Sequence, residues 1–280
     1  MNPVSYSSRF ETAVLSEAGG RENNEDSCAS REIGDNACWV IADGLGGHRG
    51  GEMAARTATT TLLDSFLRNP ELSCAALQQH LSAAQASVQQ LQQQDPALAR
   101  MRTTIVTLIS NSQKVLWAHV GDSRLYCFRD QRLLVQTEDH SVPQALAKAG
   151  EIPVDKIRGH SDRNRLLRSV GEPGPLRPAV LDRPQPLVMG DAFLLCTDGF
   201  WEYVTETEML ADLAASASAA KWLTRLQSRL LTRASGAYDN YSAIGIFFAP
   251  VAAATETGKR ELGREAATLP ISDDQLARRF

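Results

Sequence analysis

The sequence predicts an α+β fold in which helices pack on the outside of β-sheets. Three observations carry this. Short apolar runs rich in β-branched and aromatic residues are bounded by turn residues, as strands are. Two separate blocks show the apolar period of helices. Connections between several neighbouring runs have hairpin length, which makes those strands antiparallel and argues against βαβ units.

The first strand is expected at Cys38–Ala42. Two helices follow. Across Glu52–Leu67, Met53, Ala58, Leu62 and Phe66 share one face; then Leu77, Leu81, Ala84, Val88 and Leu91 recur at steps of four and three, with Asn69-Pro70 breaking the pair into a hairpin. The second helix is rich in Gln, and its regular apolar stripe assigns the Gln side to solvent rather than to a low-complexity tract. Strands are expected next at Thr104–Ile109, Val115–Val120, Leu125–Phe128 and Leu133–Gln136. With SNSQK and Asp130-Gln131 as turns, they read as one β-meander.

Gly150–Pro186 holds several Gly and Pro and many charges with little apolar period, so it reads as a long surface loop region. Loops of that length in a compact domain are usually functional. Ala192–Cys196 is a further strand, and Thr205 and Glu208 have capping-box spacing before a short helix. Lys221–Ala234 carries Trp222, Leu223, Leu226 and Leu230 before Gly236 ends it, and Ser242–Phe248 is the last strand. Residues 250–280 have five basic and five acidic residues and one aromatic, a polar tail beyond the domain.

With 29 Lys and Arg against 33 Asp and Glu, the net charge of −4 excludes a function built on a basic nucleic-acid surface. The first residues show no basic run followed by an apolar core, and no stretch approaches the roughly 18 apolar residues of a membrane span. The five cysteines lie at least ten positions apart and form no CxxC pair. Reduced thiols in the cytoplasm are therefore expected, with neither disulfides, a zinc site nor membrane insertion.

Function is carried by acids at strand ends. The run Trp39–Ala42 ends in Asp43-Gly44, Phe193–Thr197 ends in Asp198-Gly199, and Asp239-Asn240 opens the final strand. Glu25-Asp26 and Gly121-Asp122-Ser123-Arg124 add two more instances. Any one of these is an ordinary turn. Several converging on one end of a sheet repel one another unless cations sit between them, and oxygen-only ligands select Mg²⁺ or Mn²⁺ over zinc. Two such ions about 3.5–4 Å apart can bridge one water, lower its pKa and aim it at phosphorus. The glycine after Asp43 lets its own carbonyl approach a metal. Arg21, four residues before Glu25, offers a planar fork for phosphate oxygens. The glycine-rich loop Gly44–Gly51 is not a nucleotide cradle, because no GxGxxG register fits and Glu52 stands where a P-loop needs Lys.

Taken in order, these segments resemble motifs of the metal-dependent protein phosphatases of the PPM/PP2C family, over residues 8–249. RENNED (Arg21–Asp26), ADGLGGHRGGE (Ala42–Glu52), MRTT (Met101–Thr104), HVGDSRLY (His119–Tyr126), TEDHS (Thr137–Ser141), RNRLLRSVG (Arg163–Gly171), LLCTDGFWEYV (Leu194–Val204) and YDNYSAIGI (Tyr238–Ile246) carry it. The resemblance implies a four-layer αββα sandwich of two antiparallel sheets flanked by helix pairs, and hydrolysis of phosphoserine or phosphothreonine with Mn²⁺ or Mg²⁺. On matching positions, Asp43 would bridge two ions, Asp198 and Asp239 would hold the first, and Glu25 and the Gly44 carbonyl the second. Asp122, with Asp198, matches a weaker third site. Asp26 would support this shell, Arg21 would clamp the substrate phosphate, and residues from about 150 to 165 match the family's mobile flap.

The resemblance further implies a monomer acting on phosphorylated proteins opposite a bacterial Ser/Thr kinase; TDGFWEYV is similar to phosphatases that accompany type VI secretion. It also has departures. Leu45 stands where eukaryotic members carry a candidate acid histidine, and Arg102 replaces a usual Gly. His48 reads as a loop histidine bonding backbone and His140 as a structural cap, while His80, His119 and His160 read as surface or satisfied core residues. Two other readings compete: a catalytically silent binding module of the same fold, which has no reason to keep every acid, and a nucleotide-binding protein, which the failed glycine register disfavours.

Overall fold

The structure is a computed structural model that describes residues 10–46 and 49–248. His48 and the expected tail at 250–280 lie outside the described residues. The chain runs β1 (Phe10–Glu17), β2 (Asp26–Ile33), β3 (Asn36–Leu45), α1 (Arg49–Arg68), α2 (Cys74–Gln94), β4 (Arg102–Thr103), β5 (Ile105–Ser110) and β6 (Lys114–Val120). It continues through β7 (Arg124–Arg129), β8 (Arg132–Gln136), α3 (Val142–Lys148), β9 (Ala179–Val180), β10 (Gln185–Pro186) and β11 (Ala192–Cys196). It ends with α4 (Asp198–Trp201), α5 (Glu206–Ala214), α6 (Ala219–Arg233) and β12 (Tyr241–Phe248).

Two antiparallel sheets stack face to face. One has the order β1-β12-β11-β7-β8; the other has β10-β6-β5-β3-β2, with β4 against the end of β3 and β9 against β6. Side-chain alternation builds the layers. Along β3, Trp39 and Ile41 join Phe193, Leu195, Trp117 and Ile244 between the sheets. Cys38 and Val40 turn outward onto Leu62, Phe66, Leu77 and Leu81 of α1 and α2. On the other sheet, Leu194 and Cys196 face Trp222, Leu226 and Leu230 of α6. The result is the expected four-layer αββα sandwich. Its inner strands are apolar on both faces, so their sequences are unbroken apolar runs. Each such side chain, fully buried, stabilises by roughly 1.5–3 kcal/mol.

Five expectations change. β5–β6 and β7–β8 are hairpins, but β6 and β7 lie in different sheets, so the four strands are not one meander. Gly121, at φ +102°, starts the crossing, and a Cβ there would stand 2.6 Å from the Thr104 methyl group. Second, β1 and β2 were not expected; each is the edge of its sheet, half-buried and mixed in polarity. Third, α3 was missed although Ser141 caps it and Pro143 sits in its first turn. Fourth, Gly150–Pro186 is largely irregular but not all surface, since Val170 is fully buried and β9 and β10 extend a sheet. Finally, part of the Gln side of α2 grips backbone instead of facing water. The capping box at Thr205 and Glu208 is present. No helix among the described residues is long and apolar enough to cross a membrane.

Candidate metal centre

Strand pairing gathers the acids at one end of the sandwich. In the β2–β3 register Asp26 stands opposite Asp43. In the other sheet Cys196 pairs with Ala243, so Asp198 and Asp239 emerge from adjacent strands. The β6–β7 crossing brings in Asp122. Together with Arg21, Glu25 and Gly44, the four residues Asp43, Asp122, Asp198 and Asp239 line a cleft of about 440 Å³, whose walls include Asn23, Leu45, Asn164, Leu166 and Asn240. Every residue expected at the site lines it except Asp26, which lies beneath. Asn164 and Leu166 come from the long loop region, which was expected beside the cleft.

Carboxylate oxygens of Asp43, Asp122 and Asp198 all lie within 4.8 Å of one another. Burial, and after it repulsion from a neighbouring carboxylate (Asp198 for Asp43 and Asp122, Asp239 for Asp198), holds all three carboxyls above their ordinary range. A compact oxygen-only set under that strain fits a hard divalent cation, whose charge would relieve both causes. Glu25 and Asp239 share the cleft but not this tight group. Below it, Asp26 Oδ2 accepts from the Thr197 hydroxyl at 3.0 Å, while Oδ1 is buried and accepts no hydrogen bond from the described residues. Burial, with Asp198 and Asp239 nearby, pushes its pKa up to about 7. Arg21, half-exposed at the rim, is paired with Asp239 at 3.1 Å. Its remaining N–H groups leave a fork at the cleft mouth.

Several supporting residues had no separate signal in the sequence. The Thr103 hydroxyl and the Thr104 N–H both donate to the Asp43 carbonyl, at 2.7 and 2.9 Å, and the Asp43 N–H donates to the Thr104 hydroxyl at 3.0 Å. Asn240 accepts from the Glu25 N–H and donates to the carbonyls of Ala18 and Asn23, fixing the Glu25 loop on β12. Gly44 and Gly51 are needed for packing. A Cβ on Gly44 would lie 2.2 Å from the Gly51 carbonyl oxygen, and one on Gly51 would lie 1.9 Å from Glu25 Oε2.

His140 has the structural role expected of it. Its Nδ1 accepts from the Gly121 N–H at 3.2 Å and its ring stacks on His119 at 4.7 Å, with burial pushing its pKa down to about 3. Arg102 pairs with Glu172 at 3.5 Å. Arg163 pairs with Glu202, whose carboxyl is pushed up to about 7 by burial and by Asp198.

A family model described as protein phosphatase 2C matches residues 16–238. The serine/threonine phosphatase stp of Listeria monocytogenes is 35% identical over 195 residues, which cover 68% of this chain and 77% of that one. The catalytic domain of the serine/threonine protein phosphatase PstP, solved in complex with two manganese ions, is similar with a TM-score of 0.73 at 26% identity, covering 85% of this chain and 97% of that one. PppA, a key regulatory component of the type VI secretion system in Pseudomonas aeruginosa, gives a TM-score of 0.68 at 28% identity over 85% of this chain and 97% of its own. This chain belongs to the protein phosphatase 2C family.

Proposed function

We propose that the protein is a metal-dependent phosphatase that hydrolyses phosphoserine and phosphothreonine in proteins, with residues 8–249 as its catalytic domain. The observation that carries this is the buried group of three carboxylates within 4.8 Å, in a cleft that also holds Glu25, Asp239 and Arg21. In this reading Asp43, Asp198 and Asp239 would hold one divalent ion, and Asp43, Glu25 and the Gly44 carbonyl would hold a second. Asp122 and Asp198 supply a weaker third position. A Mn²⁺ or Mg²⁺ ion held there would lower the pKa of a water and stabilise charge on the phosphoryl group.

The chain's own groups do the rest. Arg21 turns its free N–H groups to the phosphate oxygens while Asp239 orients the guanidinium. Asp26 and Thr197 keep the two sheets, and so the acids they carry, in register. Leu45 and Leu166 give the cleft apolar walls that favour the hydrocarbon side of a phosphorylated residue. Reversal of a bacterial Ser/Thr kinase by a cytoplasmic monomer belongs to the same reading; the unpaired state of all five cysteines supports the compartment. The likeness to PppA supports a place beside type VI secretion. A silent module has no support in a site that keeps every acid.

The test is Mn²⁺-dependent release of phosphate from p-nitrophenyl phosphate and from a phosphothreonine peptide. Asp43→Asn is expected to lower turnover by at least a hundredfold while the circular dichroism spectrum stays native. Absence of hydrolysis by the folded wild-type protein with ample Mn²⁺ sinks the reading.

A further inference from the structure

Gln85, Gln89 and Gln92 stand at steps of four and three on α2 and so share one helix face. Their amides close on a turn distant in sequence. Gln85 and Gln89 each donate Nε2 to the same two carbonyls, of Glu172 at 2.7 Å and of Gly174 at 3.2 Å. The Gln85 Oε1 accepts from the Gly171 N–H at 2.7 Å. Gln92 Nε2 bridges the carbonyls of Met101, at 2.7 Å, and Gly171, at 2.9 Å. A primary amide has two N–H donors, so each of the three glutamines has both engaged. Gly171 is at φ +94°, and a Cβ there would stand 2.9 Å from the Met101 carbonyl oxygen and 3.0 Å from Gln92 Nε2, so only glycine admits this grip.

Both gripped segments lead to the cleft. Met101 precedes β4, where Thr103 exchanges two backbone hydrogen bonds with Val170, at 3.1 and 2.8 Å. Thr103 and Thr104 in turn hold the Asp43 carbonyl. Gly171 follows the segment on which Asn164 and Leu166 line the same cleft. Gln92 therefore ties the strand that supports Asp43 to the segment that brings Asn164 and Leu166 to the same cleft.

We infer that Gln92, backed by Gln85 and Gln89, is a positioning residue of the metal centre: it fixes β4 against residues 170–174 and so holds Asp43 where a cation is bound. The inference rests on the metal-dependent reading above. The carbonyls gripped this way belong to no helix or sheet ladder, and the Gln amides add to the Thr103–Val170 pair and the Arg102–Glu172 ion pair that join the same two segments. Supports outside the ligand shell typically change metal affinity by about 10–100-fold, and acting through β4 puts Gln92 near the lower end.

Gln92→Met keeps chain length and helix propensity but removes both donors. Isothermal titration of the full-length protein with Mn²⁺ is expected to show about tenfold weaker binding. The Mn²⁺ needed for half-maximal p-nitrophenyl phosphate hydrolysis should shift by the same factor, with kcat at saturating Mn²⁺ within about twofold of wild type. Gln92→Lys, which restores a donor, should recover most of the affinity. Gln90→Met, at an exposed neighbour on the same helix, should bind as wild type does.

Native-like Q92M with wild-type Mn²⁺ affinity overturns the inference. If Q92M does not fold, Gln85→Met, which leaves the Gln92 bridge and the Gln89 contacts in place, takes over the test: measurably weaker Mn²⁺ binding supports the role, and unchanged binding overturns it. Wild-type protein that neither takes up Mn²⁺ nor hydrolyses p-nitrophenyl phosphate removes the phosphatase reading itself. Wild-type uptake with an unaltered Q92M removes only the role of Gln92.

Discussion

The indole N–H of Trp201 donates to the backbone carbonyl of Asp122 at 2.9 Å, and the guanidinium of Arg124 lies 3.5 Å over the same ring. Arg124 is itself locked to Asp139 by two hydrogen bonds of 2.8 and 2.7 Å. The turn that carries Asp122 from one sheet to the other is thus gripped from α4 and from the strand that follows it. All three partners are buried.

Trp201→Phe keeps most of the ring for Arg124 but leaves the Asp122 carbonyl without its donor. A buried polar group deprived of its partner costs about 1–3 kcal/mol. Urea unfolding should show an unchanged slope and a midpoint lowered by that cost divided by the slope. A midpoint equal to wild type would mean that water or another donor replaces the indole.

The metal-free protein should lose stability as pH rises. Burial and repulsion from neighbouring carboxylates hold Asp43, Asp122 and Asp198 above the ordinary carboxylate range, and Asp26 is pushed from the usual 3.8 up to about 7. From near 3.8 up through about 7, the folded state therefore holds more protons than the unfolded chain. Stability from these groups is full below the lower value and falls toward the upper one. In EDTA the melting temperature should be lower at pH 8 than at pH 5, and Mn²⁺ should restore it at pH 8. The opposite order in EDTA would contradict the crowding of the acids.

Gly51→Ala ought to be favourable on helix propensity alone, by roughly 0.8–1 kcal/mol. Here the added Cβ meets Glu25 Oε2 at 1.9 Å and the Gly44 carbonyl carbon at 2.8 Å, so the Glu25 side chain or the β3–α1 junction must move. Mn²⁺-dependent turnover is expected to fall by about tenfold or more, as for a misplaced outer ligand, with little change in melting temperature. Full activity in G51A would show that the position of Glu25 is not critical.

The inner strands were legible because they are buried on both faces: Trp39–Ala42 and Phe193–Cys196 are continuous apolar runs that nothing but a covered strand explains. Their terminal acids were legible for the same reason, since an abrupt change from apolar run to Asp-Gly marks where a sheet meets solvent. The edge strands were not. FETAVLSE and DSCASREI are half-buried, and β1 becomes a strand only through pairing with β12, which lies more than two hundred residues away. The split between β6 and β7 was hidden as well, because the short stretch between Val120 and Arg124 serves equally for a hairpin or for a change of sheet. Thr197 and Asn240 were visible only as motif letters, since their partners come from Asp26 and Glu25 in a remote part of the sequence. The Gln stripe of α2 was misassigned because a polar face looks the same whether it meets water or carbonyls.

The Thr197 hydroxyl accepts from the Ser242 N–H in one sheet and donates to Asp26 in the other, each at 3.0 Å. Mechanically, it is a rivet between two plates. Asp43 rides on one plate and Asp198 and Asp239 on the other, so the spacing of the acids measures how far the plates have slipped. A core residue such as Phe193, wholly buried between the sheets, thereby acquires a catalytic consequence without approaching the cleft. Removing volume there loosens the plates first, and Mn²⁺ uptake measured by titration should fall at temperatures where the circular dichroism spectrum has not yet changed.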